Sequence, residues 1–280
     1  MTCIEIIKRS LLYFLCSFGA LTAADIATFQ FQDYSVTCIQ DSPARHQASL
    51  FSDYGQSSFH QTAKNYESSI NVFLLKYHGE YYLIDAGNDQ ARGSLRNKLN
   101  KLKIDETAVK GVFITHIHPD HVGGLLWNGK PLFPNAKLFI AQEEFDAWRK
   151  DANRAKLAKY LKPYQQRMEL FKFDSNLPAG LVPVKKAGHT PGHTVFFLQI
   201  PQGKQIAFVG DILHAVELQV PYPTFCARYD SDPKTAVQSR LDILKMDAIF
   251  FGAHFPFPGC AEIIASNAQN TSFRYMPRSK

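Results

Sequence analysis

Long runs of one charge are missing from this sequence. Lys and Arg total 31 against 25 Asp and Glu over 280 residues. No basic stretch is dense enough for a nucleic-acid or polybasic membrane patch. Cysteine is scarce, at five, and too widely spaced for a Cys-rich zinc site. There is no internal repeat, low-complexity tract or clear interdomain linker, so repeat architectures are excluded. The apolar run Leu11–Leu21 is too short for a permanent membrane span, which takes about 20 residues. What the chain does have is apolar material, 45% hydrophobic with 13% aromatic. That is enough for a sizeable core and excludes a disordered chain.

The N-terminus reads differently from the rest. Lys8 and Arg9 precede the apolar run, and Thr22, Ala23 and Ala24 follow it. A basic segment, a short apolar segment and small residues form the layout of a secretory signal peptide. The expectation is a signal over residues 1–24, a single domain over 25–280, and a periplasmic or secreted product. An uncleaved anchor is the alternative. Tyr13 stands where a lipoprotein signal preceding Cys16 would prefer Leu, so lipidation is not expected. Export leaves Cys38, Cys226 and Cys260 in an oxidising compartment. An odd number allows at most one disulfide, and buried inert thiols are the default.

Strand and helix patterns alternate along the chain. Phe29–Ile39 suggests an opening strand or hairpin, and residues 41–69 read as polar loops. Ile70–Tyr77 and Tyr81–Ile84 flank a turn at His78-Gly79. Helical spacing covers Gln90–Leu102, Glu143–Tyr160 and Lys234–Lys245. Shorter apolar runs at Val112–Thr115, Ala136–Ala141, Leu170–Phe173, Leu181–Lys185, Val195–Ile200, Ile206–Val209 and Ala248–Phe251 read as strands. Such alternation predicts a layered α/β architecture.

Chemistry concentrates in Thr115-His116-Ile117-His118-Pro119-Asp120-His121-Val122-Gly123-Gly124. If the chain stays extended, His116 and His118 point the same way and grip one ion. Asp120 and His121, past the turn at Pro119, face a second ion beside it. Imidazole with carboxylate suits Zn, Mn, Fe or Co, and the lack of a Cys argues against a purely structural zinc site. Two ions need further donors. Candidates follow apolar strands in Gly188-His189-Thr190-Pro191-Gly192-His193, in Gly210-Asp211 and in Gly252-Ala253-His254, positions favoured for ligand sites in α/β sheets. His46, His60 and His78 read as ordinary surface histidines.

His-X-His-X-Asp-His at 116–121, then Gly-His-Thr-Pro-Gly-His, Gly-Asp and Gly-Ala-His, in that order over residues 70 to 260, resemble the metallo-β-lactamase-fold hydrolase superfamily. Tyr82-Leu83-Ile84-Asp85-Ala86-Gly87 is similar to its early strand ending in Asp-X-Gly, where the acid is structural and lies beneath the site. The resemblance implies a four-layer αβ/βα sandwich with two divalent metal ions, zinc foremost, at one edge. It implies that His116, His118 and His189 hold the first ion, that Asp120, His121 and His254 hold the second, and that Asp211 bridges them. His193 is then a supporting or core residue. Gly210-Asp211-Ile212-Leu213-His214, Tyr229-Asp230-Ser231-Asp232 and the segment from Gly252 to Gly259 resemble the branch with methyl parathion hydrolases and related lactone or aryl-ester hydrolases.

The activity this implies is hydrolysis of a small ester, lactone or aryl ester, by a hydroxide shared between the ions. Asp120, Asp211 and His214 are the candidate catalytic residues. His214, three residues beyond Asp211, would hydrogen-bond a substrate oxygen or protonate a leaving alkoxide, or else serve as a loop histidine bonded to backbone. Phe145, Trp148, Phe225, Phe255 and Phe257 are candidates for an apolar pocket, with core packing the competing role for Phe145 and Trp148. No nucleic-acid partner is expected, nor stable membrane insertion after signal removal, and a homodimer stays open. Alternatives are a phosphotriesterase, a thioester hydrolase, a β-lactamase, a one-iron persulfide dioxygenase and a catalytically silent metal-binding module.

Overall fold

A computed structural model describes residues 25–54, 65–200, 205–265 and 273–277. The signal-like segment and His60 therefore lie outside the described residues. Among the described residues no helix is long and apolar enough to cross a membrane.

The first half of the chain runs through β1 (Ile26–Phe31), β2 (Tyr34–His46), β3 (Phe51–Asp53), β4 (Tyr66–Tyr77), β5 (Glu80–Ile84), α1 (Leu95–Lys101), β6 (Val109–Phe113), α2 (Pro119–Val122), β7 (Leu126–Trp127), β8 (Lys130–Pro131), β9 (Lys137–Ala141), α3 (Gln142–Lys150), α4 (Ala158–Leu161) and β10 (Met168–Phe171). The second half supplies β11 (Val182–Lys185), β12 (Thr194–Gln199), β13 (Gln205–Gly210), α5 (Val216–Gln219), β14 (Phe225–Ala227), α6 (Pro233–Leu244), β15 (Ala248–Gly252), β16 (Cys260–Ala265) and β17 (Phe273–Pro277). Seven strands form one sheet in the order β1-β2-β4-β5-β6-β9-β10, and six form the other in the order β11-β12-β13-β15-β16-β17.

Strand periodicity explains the layering. Successive side chains point to opposite faces, and here both faces are apolar. In β4, Val72 and Leu74 pack towards the helices with Leu99 and Trp148, while Phe73 and Leu75 face the second sheet with Phe208 and Phe251. In β12 and β13, Phe196 and Phe208 join that central layer. Val195, Phe197, Ala207 and Val209 turn outward to meet Ile243 and Leu244 of α6. Three apolar layers separate helix, sheet, sheet and helix, which is the four-layer sandwich the resemblance implied.

Several boundaries depart from the sequence reading. Residues 41–46 and 66–69 are not loop but the paired ends of β2 and β4, with His46 opposite Tyr66. The expected helix at Gln90 begins at Leu95, because Asp89–Gly93 forms a turn and the Asp41 carboxylate accepts the Ser94 and Leu95 N–H groups at 2.7 and 2.8 Å. The expected helix over Glu143–Tyr160 ends at Lys150, where Asp151 turns extended. Strands β16 and β17, which hairpin onto the edge of the second sheet, had no clear sequence signal. Cys38, Cys226 and Cys260 are all buried.

Candidate metal centre

The loops after β6, β13 and β15 and the turn between β11 and β12 gather at one edge of the sandwich. His116, His189, His121, Asp211, His214 and His254 are all at most 3% exposed. Nε2 of His116, Nδ1 of His118 and Nε2 of His189 lie 2.9 to 3.2 Å from one another. Asp211 stands at the middle: its Oδ2 is 3.5 Å from His116 Nε2, 3.3 Å from His189 Nε2 and 3.0 Å from His214 Nε2. Its Oδ1 is 3.0 Å from His121 Nε2 and 3.1 Å from His254 Nε2. Asp120, on the first turn of α2, brings Oδ2 to 3.5 Å from His254 Nε2. The residues sequence reasoning selected are thus brought together.

Neighbouring acceptors decide which nitrogen of each ring points inward. His189 Nδ1 lies 2.9 Å from Asp230 Oδ1, His121 Nδ1 2.8 Å from Asp85 Oδ2, and His254 Nδ1 3.2 Å from the Ser69 carbonyl. A neutral ring that donates from Nδ1 keeps its lone pair on Nε2, so in their neutral form these three rings aim lone pairs inward. Asp211 Oδ1 and His121 Nε2 are buried and, though 3.0 Å apart, make no hydrogen bond. Lone pairs converging around one carboxylate repel unless cations lie among them, so the donor set fits divalent ions. The donors fall into His116, His118, His189 and Asp211 on one side and Asp120, His121 and His254 on the other, each set within 4.8 Å.

The electrostatics agree. Burial and the neighbouring His121 hold the His116 imidazole well below its ordinary value. For His121, burial lowers the value, but the Asp211, Asp85 and Asp120 carboxylates reverse this and hold it well above. Burial alone would raise the Asp211 carboxyl, yet His121, His254, His214 and His116 bring it well below the usual range.

Local structure explains the placement. Gly188 has φ of +123°, and a Cβ there would lie 2.1 Å from Ala236 N. Only glycine lets the His189 turn press against α6. His193 accepts the Asp211 N–H on Nε2 at 3.0 Å, and burial lowers its imidazole to about 3. It is a supporting residue here, as expected. Asp85 accepts from Thr115 N at 2.8 Å beneath the His116 segment, the structural position the resemblance gave it.

Sequence reasoning missed four contributors. Glu144 of α3 is fully buried, accepting the Ile117 N–H at 2.9 Å and the Gly192 N–H at 3.1 Å, so one carboxylate ties together both His-containing segments. Its place in a helical first turn had disguised it as a helix-dipole residue. Asp230 backs His189, and Asp41 clamps the loop that carries Asn88 and Arg92. His46, read as a surface histidine, is 9% exposed, bonds Ser68 Oγ at 3.0 Å and lies edge-on to His254. Its buried neighbours come from segments remote in sequence.

A cavity of about 740 Å³ opens onto the cluster, walled by Ala44, His46, Leu50, Ile70, Asn88 and Tyr229 among others. None of the five candidate aromatic residues lines this cavity, and for Phe145 and Trp148 the core role holds. Trp148 and Phe145 belong to the helix-side core, Phe255 to the layer under α6, Phe225 to a small cluster with Phe51, and Phe257 packs against the central core. Burying these rings between layers outweighs presenting them to a wet cavity.

Known proteins share this fold. The crystal structure of the hydrolase AbOPH, of the β-lactamase superfamily, superposes with a TM-score of 0.80 at 28% identity, covering 92% of this chain and 99% of that one. The N-acyl homoserine lactonase AttM of Agrobacterium fabrum is 24% identical over 230 residues, 69% of this chain and 84% of that protein. A match to ribonuclease Z of Borrelia hermsii is 42% identical but spans 53 residues, 19% of this chain and only 15% of that protein's length. Residues 65–254, from the start of β4 to the last histidine of the cluster, match the profile of the metallo-beta-lactamase superfamily, and the chain belongs to that superfamily.

Proposed function

We propose that the chain is an exported, dinuclear metal-dependent hydrolase of small esters, with lactones or aryl esters as substrates. The observation that carries this reading is the central place of Asp211, which turns Oδ2 to His116 and His189 and Oδ1 to His121, with His254 Nε2 3.1 Å from both oxygens. A carboxylate within reach of both donor sets is what a bridging ligand requires. In this reading His116, His118 and His189 hold one ion, and Asp120, His121 and His254 hold the other. Divalent ions there supply a water acidified towards neutral pH and a Lewis acid for the carbonyl. Zinc suits the nitrogen and oxygen donors, and the superposable AidC is described as a dizinc lactonase.

The remaining groups act on the substrate. His214 lines the cavity with Nε2 3.0 Å from Asp211 Oδ2. Burial lowers its imidazole against the opposing pull of Asp211, and the ring is placed to hydrogen-bond the carbonyl oxygen or to protonate the leaving alkoxide. Leu50, Ile70 and Tyr229 offer apolar surface, and Asn88 and Arg92 offer hydrogen-bond donors. Such a mixed wall, in a cavity of this size, suits a small neutral ester. The lactonase relative supports the same class, and the pattern of residues 1–24 supports export.

The test is metal analysis of the purified protein with a panel of lactones, aryl esters, phosphotriesters and β-lactams. The expected result is two equivalents of metal, turnover of lactones or aryl esters, and loss of both bridging and turnover in Asp211→Ala. Full activity of that variant, or turnover confined to phosphotriesters or β-lactams, refutes the assignment. A retained N-terminal segment in protein recovered from the cell refutes signal removal.

A further inference from the structure

Arg240 is the largest fully buried side chain among the described residues, at 0% exposure in the middle of α6. Its guanidinium donates from Nε to the Ile212 carbonyl at 2.9 Å, and from one terminal nitrogen to the carbonyls of Pro223 at 2.6 Å and Phe225 at 2.9 Å. The other terminal nitrogen lies 3.5 Å from Asp230 Oδ2. Ile212 sits between Asp211 and His214, and the opposite oxygen of Asp230 backs His189. One side chain therefore touches the Asp211–His214 loop directly and reaches the His189 turn through Asp230. The start of the same helix grips the His189 turn again: Ser231 N donates to the His189 carbonyl at 3.1 Å and Asp232 N to the Gly188 carbonyl at 2.9 Å.

A buried guanidinium–carboxylate pair is a poor way to stabilise a fold, since apolar residues of similar volume in its place often do as well or better. What it offers here is geometry: a rigid planar fork holds several acceptors in fixed relation. We infer that Arg240 is a positioning residue for the ligand cluster. It orients His189 through Asp230 and the Asp211–His214 loop through the Ile212 carbonyl. This rests on the metal-binding reading of the cluster given above.

The experiment compares Arg240→Met, Arg240→Lys and the isosteric Asp230→Asn with the unmodified protein. The readouts are zinc affinity by competition with a chromophoric chelator, the visible spectrum after cobalt substitution, and the His189 ring tautomer by ¹⁵N NMR of chelator-treated protein. Far-UV circular dichroism reports folding. Arg240→Met and Asp230→Asn are expected to bind zinc about 10–100-fold more weakly, with an altered cobalt spectrum and mixed His189 tautomers. Arg240→Lys should recover part of the affinity, because it keeps the charge beside Asp230 but not the Nε contact with Ile212. Should Arg240→Met fail to fold, Asp230→Asn decides the relay and Arg240→Lys the contact to the loop. Unchanged affinity, spectrum and tautomer in folded variants overturn the inference. If the unmodified protein itself binds no divalent ion, the metal-binding reading fails instead, and the tautomer measurement still decides whether Arg240 and Asp230 orient His189.

Discussion

Asp85 offers a severe test of how the centre is held. It is 3% exposed and sits at φ of +60° just past β5. Its carboxylate accepts the Thr115 N–H at 2.8 Å, the Thr115 hydroxyl at 2.8 Å and His121 Nδ1 at 2.8 Å. In Asp85→Ala the hydroxyl can turn to His116 Nδ1, 3.1 Å away, but the Thr115 N–H and the His121 N–H are left buried and unpaired. At about 1–3 kcal/mol each, these orphaned donors cost roughly 2–6 kcal/mol. Asp tolerates the left-handed region better than alanine does, which adds part of the about 1–2 kcal/mol that this conformation costs an L-residue. A domain of this kind has about 5–15 kcal/mol in all, so Asp85→Ala is expected close to unfolding. Asp85→Asn separates the roles. Its oxygen still accepts the Thr115 N–H, but its amide faces His121 Nδ1 and drives that ring to the tautomer with no lone pair on Nε2. Stability should fall little, and zinc affinity about 10–100-fold. Urea denaturation with and without metal, alongside a zinc competition assay, reads both quantities. A folded Asp85→Asn protein with undiminished zinc affinity would refute the tautomer argument.

Glu144→Gln keeps one acceptor but turns an amide towards either the Ile117 or the Gly192 N–H. One buried donor is then unpaired, at a cost of about 1–3 kcal/mol. Denaturation midpoint and zinc affinity should fall together, and a change in neither would remove Glu144 from the support of the site. Prolonged chelation should abolish turnover and lower the melting temperature, with added zinc restoring both; full activity in chelator excludes the metal chemistry. Protons compete with cations for the inward nitrogens, and the Asp211, Asp85 and Asp120 carboxylates hold the His121 imidazole well above its usual value. Ion binding must displace that proton, so affinity should weaken as pH falls and protons should be released on binding. Calorimetry in buffers of different ionisation enthalpy measures the release, and its absence refutes a protonated His121.

What the sequence disclosed follows from how local each signal is. The run from His116 to His121 is contiguous, so its chemistry was plain before any fold was known. His189, Asp211 and His254 each end a recognisable apolar segment, and the strands that carry them were legible from apolar runs. The supports were not legible, because each is an ordinary residue until a remote segment meets it. Glu144 resembles any acid in a helical first turn. Arg240 resembles any exposed arginine until it proves to be buried. His46 belongs to a polar stretch that gives no hint of pairing with β4. The aromatic residues were misread in the opposite direction. A sequence cannot say which face of a segment meets the cavity, and at Phe225, Phe255 and Phe257 the core won.

The placement of these supports bears on why the centre sits between two sheets. His121 is backed by Asp85 at the end of β5, His254 by the Ser69 carbonyl in β4, and His189 by Asp230 beyond β14. His254 itself belongs to the second sheet, following β15, yet its tautomer is set by the first; Ser68 of that first sheet also donates to the His254 carbonyl at 2.8 Å. Glu144 ties a first-sheet loop to a second-sheet turn. Neither half of the chain could orient the seven side chains alone, since His254 takes its acceptor from the first sheet and Glu144 ties segments of both halves. The apolar layer between the sheets has no directional preference strong enough to set imidazole geometry to within tenths of an ångström. The buried carboxylates do, because each accepts from fixed backbone N–H groups or from a single ring nitrogen. Packing brings the halves together; these few polar contacts decide where the lone pairs point.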